Sequence, residues 1–211
     1  MKNGRTTMIK RFFALVLAFA VAVSILTVPV QESYAAGGKV KTVAVTNLPA
    51  KQLTLKKGKS FTLKTKVSVS GKKVSKAVTY KTSNKKVATV NAKGKITAKK
   101  NGKAVITVIS KANKKKTVKI KVTVGTPVTS IKLSKTKASL TVGKTLKLKA
   151  TVAPKKASSK SVVWKTSNKK IATVSANGVV KGIKAGTVKI TALAKDGSGK
   201  KATCKITVKK A

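Results

Sequence analysis

From residue 40 onward apolar side chains recur at every second position in short runs, and no run carries an apolar stripe at helical spacing. Phe61, Leu63, Thr65 and Val67 alternate with Thr62, Lys64 and Lys66. Val118, Ile120, Val122 and Val124 alternate with Thr117, Lys119, Lys121 and Thr123. The pattern returns in Leu146, Leu148, Ala150 and Val152, in Val188, Ile190 and Ala192, and in Ala202, Cys204, Ile206 and Val208. A period of two predicts β-strands with one apolar face and one face of lysine and threonine. Gly, Asn and Pro separate the runs. The Asn177-Gly178 pair predicts a two-residue hairpin turn with positive φ at both central positions.

Two stretches, Tyr80 to Ile96 (YKTSNKKVATVNAKGKI) and Trp164 to Val180 (WKTSNKKIATVSANGVV), repeat one another 84 positions apart. The repeat divides the chain into a first copy at 40–124 and a second at 128–208, joined by Gly125-Thr126-Pro127. This connector is too short for independent tumbling and suits an end-to-end array. About seven short strands per copy, with an aromatic residue near the middle, predict an all-β protein of two tandem immunoglobulin-like sandwiches.

The residues also resemble a known family, the group 2 bacterial immunoglobulin-like domains. The resemblance rests on Val128–Leu133 (VTSIKL), Leu140–Gly143 (LTVG), the Trp164 stretch, Gly178-Val179-Val180, Ala185-Gly186 and Ala202–Val208 (ATCKITV). The second copy matches closely. The first departs from the pattern with Tyr80 in place of Trp and Lys95 after the turn glycine. The resemblance implies extracellular sandwiches that serve as stalks, spacers or adhesive modules, as in intimin-like and invasin-like adhesins, and it implies no catalytic residues.

The N-terminus reads differently. Lys2, Arg5, Lys10 and Arg11 precede a charge-free, mostly apolar run from Phe12 to Val28, Pro29 ends that run, and Ser33-Tyr34-Ala35 places small residues before Ala36. This predicts a signal peptide over residues 1–35 and an exported chain with no membrane association after cleavage. The competing reading is an uncleaved anchor, although the run is shorter than the ~20 residues of a spanning helix. Nothing after Val208 reads as a sorting motif or apolar tail, so retention at a surface is expected to be noncovalent.

Composition then narrows the chemistry. The 211 residues hold 50 Lys and Arg against 2 Asp and Glu, with no His and a formal charge of +48. Both arginines and Glu32 lie within residues 1–35, so beyond them every basic residue is lysine and Asp196 is the sole acid. Without His or a second carboxylate, acid/base pairs, hydrolase triads and zinc sites lack their parts. The expectation is a protein that is not an enzyme and takes no cofactor or metal. Cys204 is the only cysteine, which excludes an internal disulfide.

Four features invite a functional reading. Trp164 could stack on a sugar, but Tyr80 holds its place in the other copy, and both are expected to fill the core. Cys204 could be a thiol activated by surrounding lysines, but its counterpart is the inward Ile120, so a buried small hydrophobe is expected. Thr82–Lys86 and Thr166–Lys170 repeat Thr-Ser-Asn-Lys-Lys, a ligand loop or, on side-chain chemistry, a tight turn. Asp196, in Asp-Gly-Ser-Gly, supplies too few oxygens for calcium and is expected to do no more than form a hairpin turn.

The lysines themselves are the strongest signal. Soluble surfaces ordinarily intersperse both signs of charge, and here one is almost missing. Outward Lys64, Lys66, Lys119, Lys121, Lys147, Lys149, Lys189 and Lys205 are the candidate contacts for an anionic cell-wall polymer or acidic polysaccharide at the cell surface. Nonspecific binding of extracellular nucleic acid is the rival, driven by counterion release. Absent arginine and inward aromatics leave that rival no means of base readout. A plain spacer kept soluble by its charge is a third reading.

Overall fold

A computed structural model describes residues 38–210; the signal-peptide expectation lies outside them. The first copy runs β1 (Lys39–Val45), β2 (Gln52–Leu55), β3 (Ser60–Thr62), β4 (Thr65–Ser70), β5 (Val78–Thr82), β6 (Ala88–Val90), β7 (Lys95–Ala98), β8 (Gly102–Ser110) and β9 (Thr117–Val124). The second runs β10 (Ser130–Leu133), β11 (Lys137–Thr141), β12 (Thr145–Lys147), β13 (Ala150–Ala153), β14 (Val162–Thr166), β15 (Ala172–Val174), β16 (Val179–Gly182), β17 (Gly186–Ala194) and β18 (Lys201–Lys209). The described residues are thus all-β, two immunoglobulin-like sandwiches in tandem.

Each copy opposes a four-stranded sheet, β2-β9-β8-β5 or β11-β18-β17-β14, to a three-stranded sheet, β3-β7-β6 or β12-β16-β15. A strand pair completes it, β1-β4 or β10-β13. The long hairpins β8-β9 and β17-β18 form the spine, and their burial alternates residue by residue as the period-two pattern requires.

The expected count of about seven strands per copy is corrected to nine. The first strand leaves one sheet and joins the other, so β1 pairs antiparallel with β4 while β2 pairs parallel with β9. β10 and β11 divide in the same way between β13 and β18. A second break follows β3 and β12, at Leu63-Lys64 and Leu148-Lys149, where backbone bonds to Gly94 and Gly178 replace ladder pairing. Alternation survives these breaks, because Leu63 and Leu148 stay buried at 4% and 1% exposure. Periodicity therefore does not show where a strand changes partner.

The hairpin prediction at Asn177-Gly178 is corrected too. Only Gly178 has positive φ, +79°. The Gly178 N–H donates to the Ser175 carbonyl, and the Ser175 hydroxyl accepts from the N–H groups of Asn177 and Val179. That is a type I turn closed by a left-handed glycine, held by a side chain the two-residue rule ignores. The first copy does the same with Asn91 and Gly94.

The first core gathers Leu53, Leu63, Ile96, Ile106, Ile120 and Val122, with Tyr80 packed against it. The second holds two clusters, one around Leu148, Ile190, Cys204 and Ile206 and one around Val128, Ile131 and Ala192. Trp164, half-buried, packs against both clusters.

Candidate functional site

Every lysine of the described residues is exposed except Lys195, which is half-buried. The eight candidates divide between faces. Lys119 and Lys121 lie on β9, Lys189 on β17 and Lys205 on β18, all on the outer faces of the four-stranded sheets. Lys66 is on β4 and Lys147 on β12, while Lys64 and Lys149 sit at the strand breaks between β3 and β4 and between β12 and β13. The structure therefore gathers no single patch from the eight.

It does assemble a row that strand-by-strand reading missed. Lys205 is directly opposite Lys189 on one side and Lys137 on the other, so three lysines cross three adjacent strands in register. Directly opposed like charges destabilise a sheet, and no surface carboxylate among the described residues relieves them. The equivalent row of the first copy is Gln52, Lys121 and Val105, with one charge. Only pairing register, which the one-dimensional pattern lacks, reveals the difference.

Asp196 departs from expectation. It sits in the β17-β18 hairpin, as read from the sequence, yet it is completely buried. Its Oδ2 accepts the Val128 N–H at 2.7 Å and its Oδ1 the Ser198 N–H at 3.0 Å. Its carbonyl accepts the Thr54 N–H, on the open edge of β2 in the other sandwich, at 2.7 Å. The expectation of a mere turn is corrected: the carboxylate ties the hairpin to Val128 at the start of the second sandwich, and the main-chain carbonyl reaches the first sandwich. Gly197 makes the close approach possible, since a methyl group there would lie 2.7 Å from Leu48 Cδ2.

The rest of the connector is equally committed. The Gly125 N–H donates to the Leu55 carbonyl at 2.9 Å and the Thr126 N–H to Ser158 Oγ at 2.9 Å. The Ser158 N–H returns to the Thr126 carbonyl at 2.8 Å, the Thr129 N–H donates to Ala153, and Pro127 has no N–H to satisfy. A connector with all its donors engaged behaves as a joint and not as a tether.

The other candidates are structural. Asn84 Oδ1 accepts the Lys86 N–H and Asn168 Oδ1 the Lys170 N–H, which makes the repeated Thr-Ser-Asn-Lys-Lys segments side-chain-bonded turns. Ser83 and Ser167 also receive the N–H groups of Val105 and Lys189. Cys204 is fully buried opposite Ile190. Burial pushes its thiol up from the ordinary value, and the opposing pull of Lys135 is the smaller effect. The lysine field thus fails to activate it, because the thiol is on the core side of its strand.

The family model for the bacterial Ig-like domain (group 2) matches residues 39–123 and 127–206. A 3-O-alpha-D-galactosyl-alpha-L-arabinofuranosidase of Bifidobacterium longum subsp. longum is 49% identical over 72 residues, which are 34% of this chain and 6% of that enzyme. A kappa-carrageenase of Pseudoalteromonas carrageenovora is 42% identical over 69 residues, 33% of this chain and 17% of the enzyme. The chain thus spans a small fraction of the curated relatives it matches. Among solved structures, the S-layer protein rSbsC(31-844) aligns with 81% of this chain and 28% of its own at 20% identity and a TM-score of 0.36.

Proposed function

The chain belongs to the bacterial Ig-like domain (group 2) family across both of its copies, and on that premise we propose that it is a non-enzymatic, exported module of the bacterial surface that holds anionic polymer on its lysine faces. The observation that carries this reading is the separation of charge. Exposed lysines cover the strands of both sandwiches, while the one carboxylate of the described residues is buried at the joint. Such a surface has a net field of one sign, and that field raises the local concentration of extended anions.

An arabinofuranosidase and a carrageenase among the relatives fit an accessory module beside carbohydrate, since the similarity covers so little of each enzyme. Wall polymer or acidic polysaccharide is favoured over nucleic acid because Phe61, Tyr80 and Trp164 pack against the cores. Base stacking then has no platform among the described residues. Lysine acts as a flexible point charge, so many weak contacts carry the binding and no single residue dominates.

Replacing the eight candidate lysines together by glutamine tests the reading in sedimentation with isolated cell walls. Binding should fall by about tenfold or more, at roughly 0.2–1 kcal/mol for each exposed charge contact, with the circular dichroism of the sandwiches unchanged. Undiminished binding by the folded variant would overturn the proposal.

A further inference from the structure

The joint that fixes the sandwiches also encloses a cleft of about 460 Å³, within the range of small-ligand sites. Its floor is the outer face of the four-stranded sheet of the first sandwich, with Thr54, Lys103 and Lys121, and Ser83 stands at its rim. Ser158 and Ser159 of the second sandwich form its roof. We propose that this cleft binds one anionic polyol unit, a sugar or glycerol unit carrying a phosphate or carboxylate, within the polymer that the lysine faces attract. This rests on the polymer-binding reading and assigns it a discrete site.

The lining is rich in donors and has no carboxylate. Lys103 pairs with Thr123, two residues beyond Lys121 on β9, so the two lysines are diagonal neighbours about 7–8 Å apart and can straddle one oxyanion. The Ser83 hydroxyl oxygen accepts the Val105 N–H at 2.9 Å, and that of Ser158 accepts the Thr126 N–H at 2.9 Å. Both oxygens are thereby fixed in place, and each keeps its O–H proton to donate. Two ammonium groups supply charge and oriented hydroxyls supply hydrogen bonds to ligand oxygens, so neither a neutral sugar nor a bare ion satisfies the whole lining. The roof is held over the floor by the Ser158–Thr126 bonds and by the bond from the Thr54 N–H to the Asp196 main-chain carbonyl.

Nuclear magnetic resonance titration of the protein with glycerol 1-phosphate, glucuronic acid, inorganic phosphate and glucose tests the assignment. The amides of Thr54, Thr123 and Ser158 should shift saturably with at least one of the first two, more weakly with phosphate and not with glucose. The tighter of the first two identifies the source of the charge. Lys103→Gln with Lys121→Gln should weaken that binding by about tenfold, the loss expected when hydrogen bonds between charged groups are removed. Lys95→Gln with Lys181→Gln, an equal charge change on the opposite sheets, should leave it within about twofold. Gly197→Ala, whose methyl group would press on Leu48, Leu53 and the Gln52 carbonyl across the joint, should weaken it with both lysines present. Equal weakening by the two lysine pairs, undiminished binding by Gly197→Ala, or no saturable shift would overturn the cleft. Retained binding of whole wall polymer in any of those cases would leave the broader function standing.

Discussion

At Gly178 the chain needs both a left-handed backbone and an absent side chain. A methyl group there would lie 2.6 Å from the Leu148 carbonyl and 2.7 Å from the Trp164 ring, whereas Gly143, with φ +81°, has open space around it. Gly143→Ala should therefore cost about 1–2 kcal/mol, the penalty of the left-handed region alone. Gly178→Ala should cost about 1–3 kcal/mol more, because the Leu148 backbone and the Trp164 ring must both give way. Denaturant unfolding of the two variants checks this, and equal losses would show that Trp164 has room to give. Trp164 was legible in the sequence as a core residue through its partner Tyr80. The Ser175 side chain that closes the turn was not, because a serine two residues before Asn-Gly carries no mark of which backbone groups it will receive.

The strands were legible where a single alternation runs unbroken. β8, β9, β17 and β18 keep one face in the core from end to end, and their residues show it. The sheet-switching pairs β1-β2 and β10-β11 were not legible, since a strand that changes partner can preserve its inward side. The joint was hidden for a related reason. Asp196 meets Val128 across 68 residues and Thr54 across a sandwich boundary, and its only sequence mark is being the one acid left after residue 35. Asp196→Ala leaves the Val128 and Ser198 N–H groups without their acceptor and should cost about 1–3 kcal/mol. The Thr54 bond goes to the Asp196 main-chain carbonyl and survives that change; Gly197→Ala, which crowds Leu48 and Leu53, should instead give the two sandwiches different rotational correlation times by relaxation measurements, where the native chain gives one. A shared value in the variant would mean that the remaining connector bonds suffice.

Across the whole molecule, lysines without counter-charge face water over two apolar cores, and charges within about 8–10 Å of one another repel at physiological salt. The outward field was legible from composition alone; its concentration in the row of Lys137, Lys205 and Lys189, and its pairing of Lys103 with Lys121 beneath the joint, required the register. The claim on which the rest depends is that this field binds anionic polymer. The most direct measurement is the affinity for a labelled acidic polysaccharide across a sodium chloride series, beside its uncharged analogue and duplex DNA. The account predicts that log affinity for the acidic chain falls linearly with log salt, that binding persists at physiological salt and exceeds that for DNA, and that the uncharged chain does not bind. Equal binding of charged and uncharged chains, or no binding of the acidic chain at physiological salt, would contradict it.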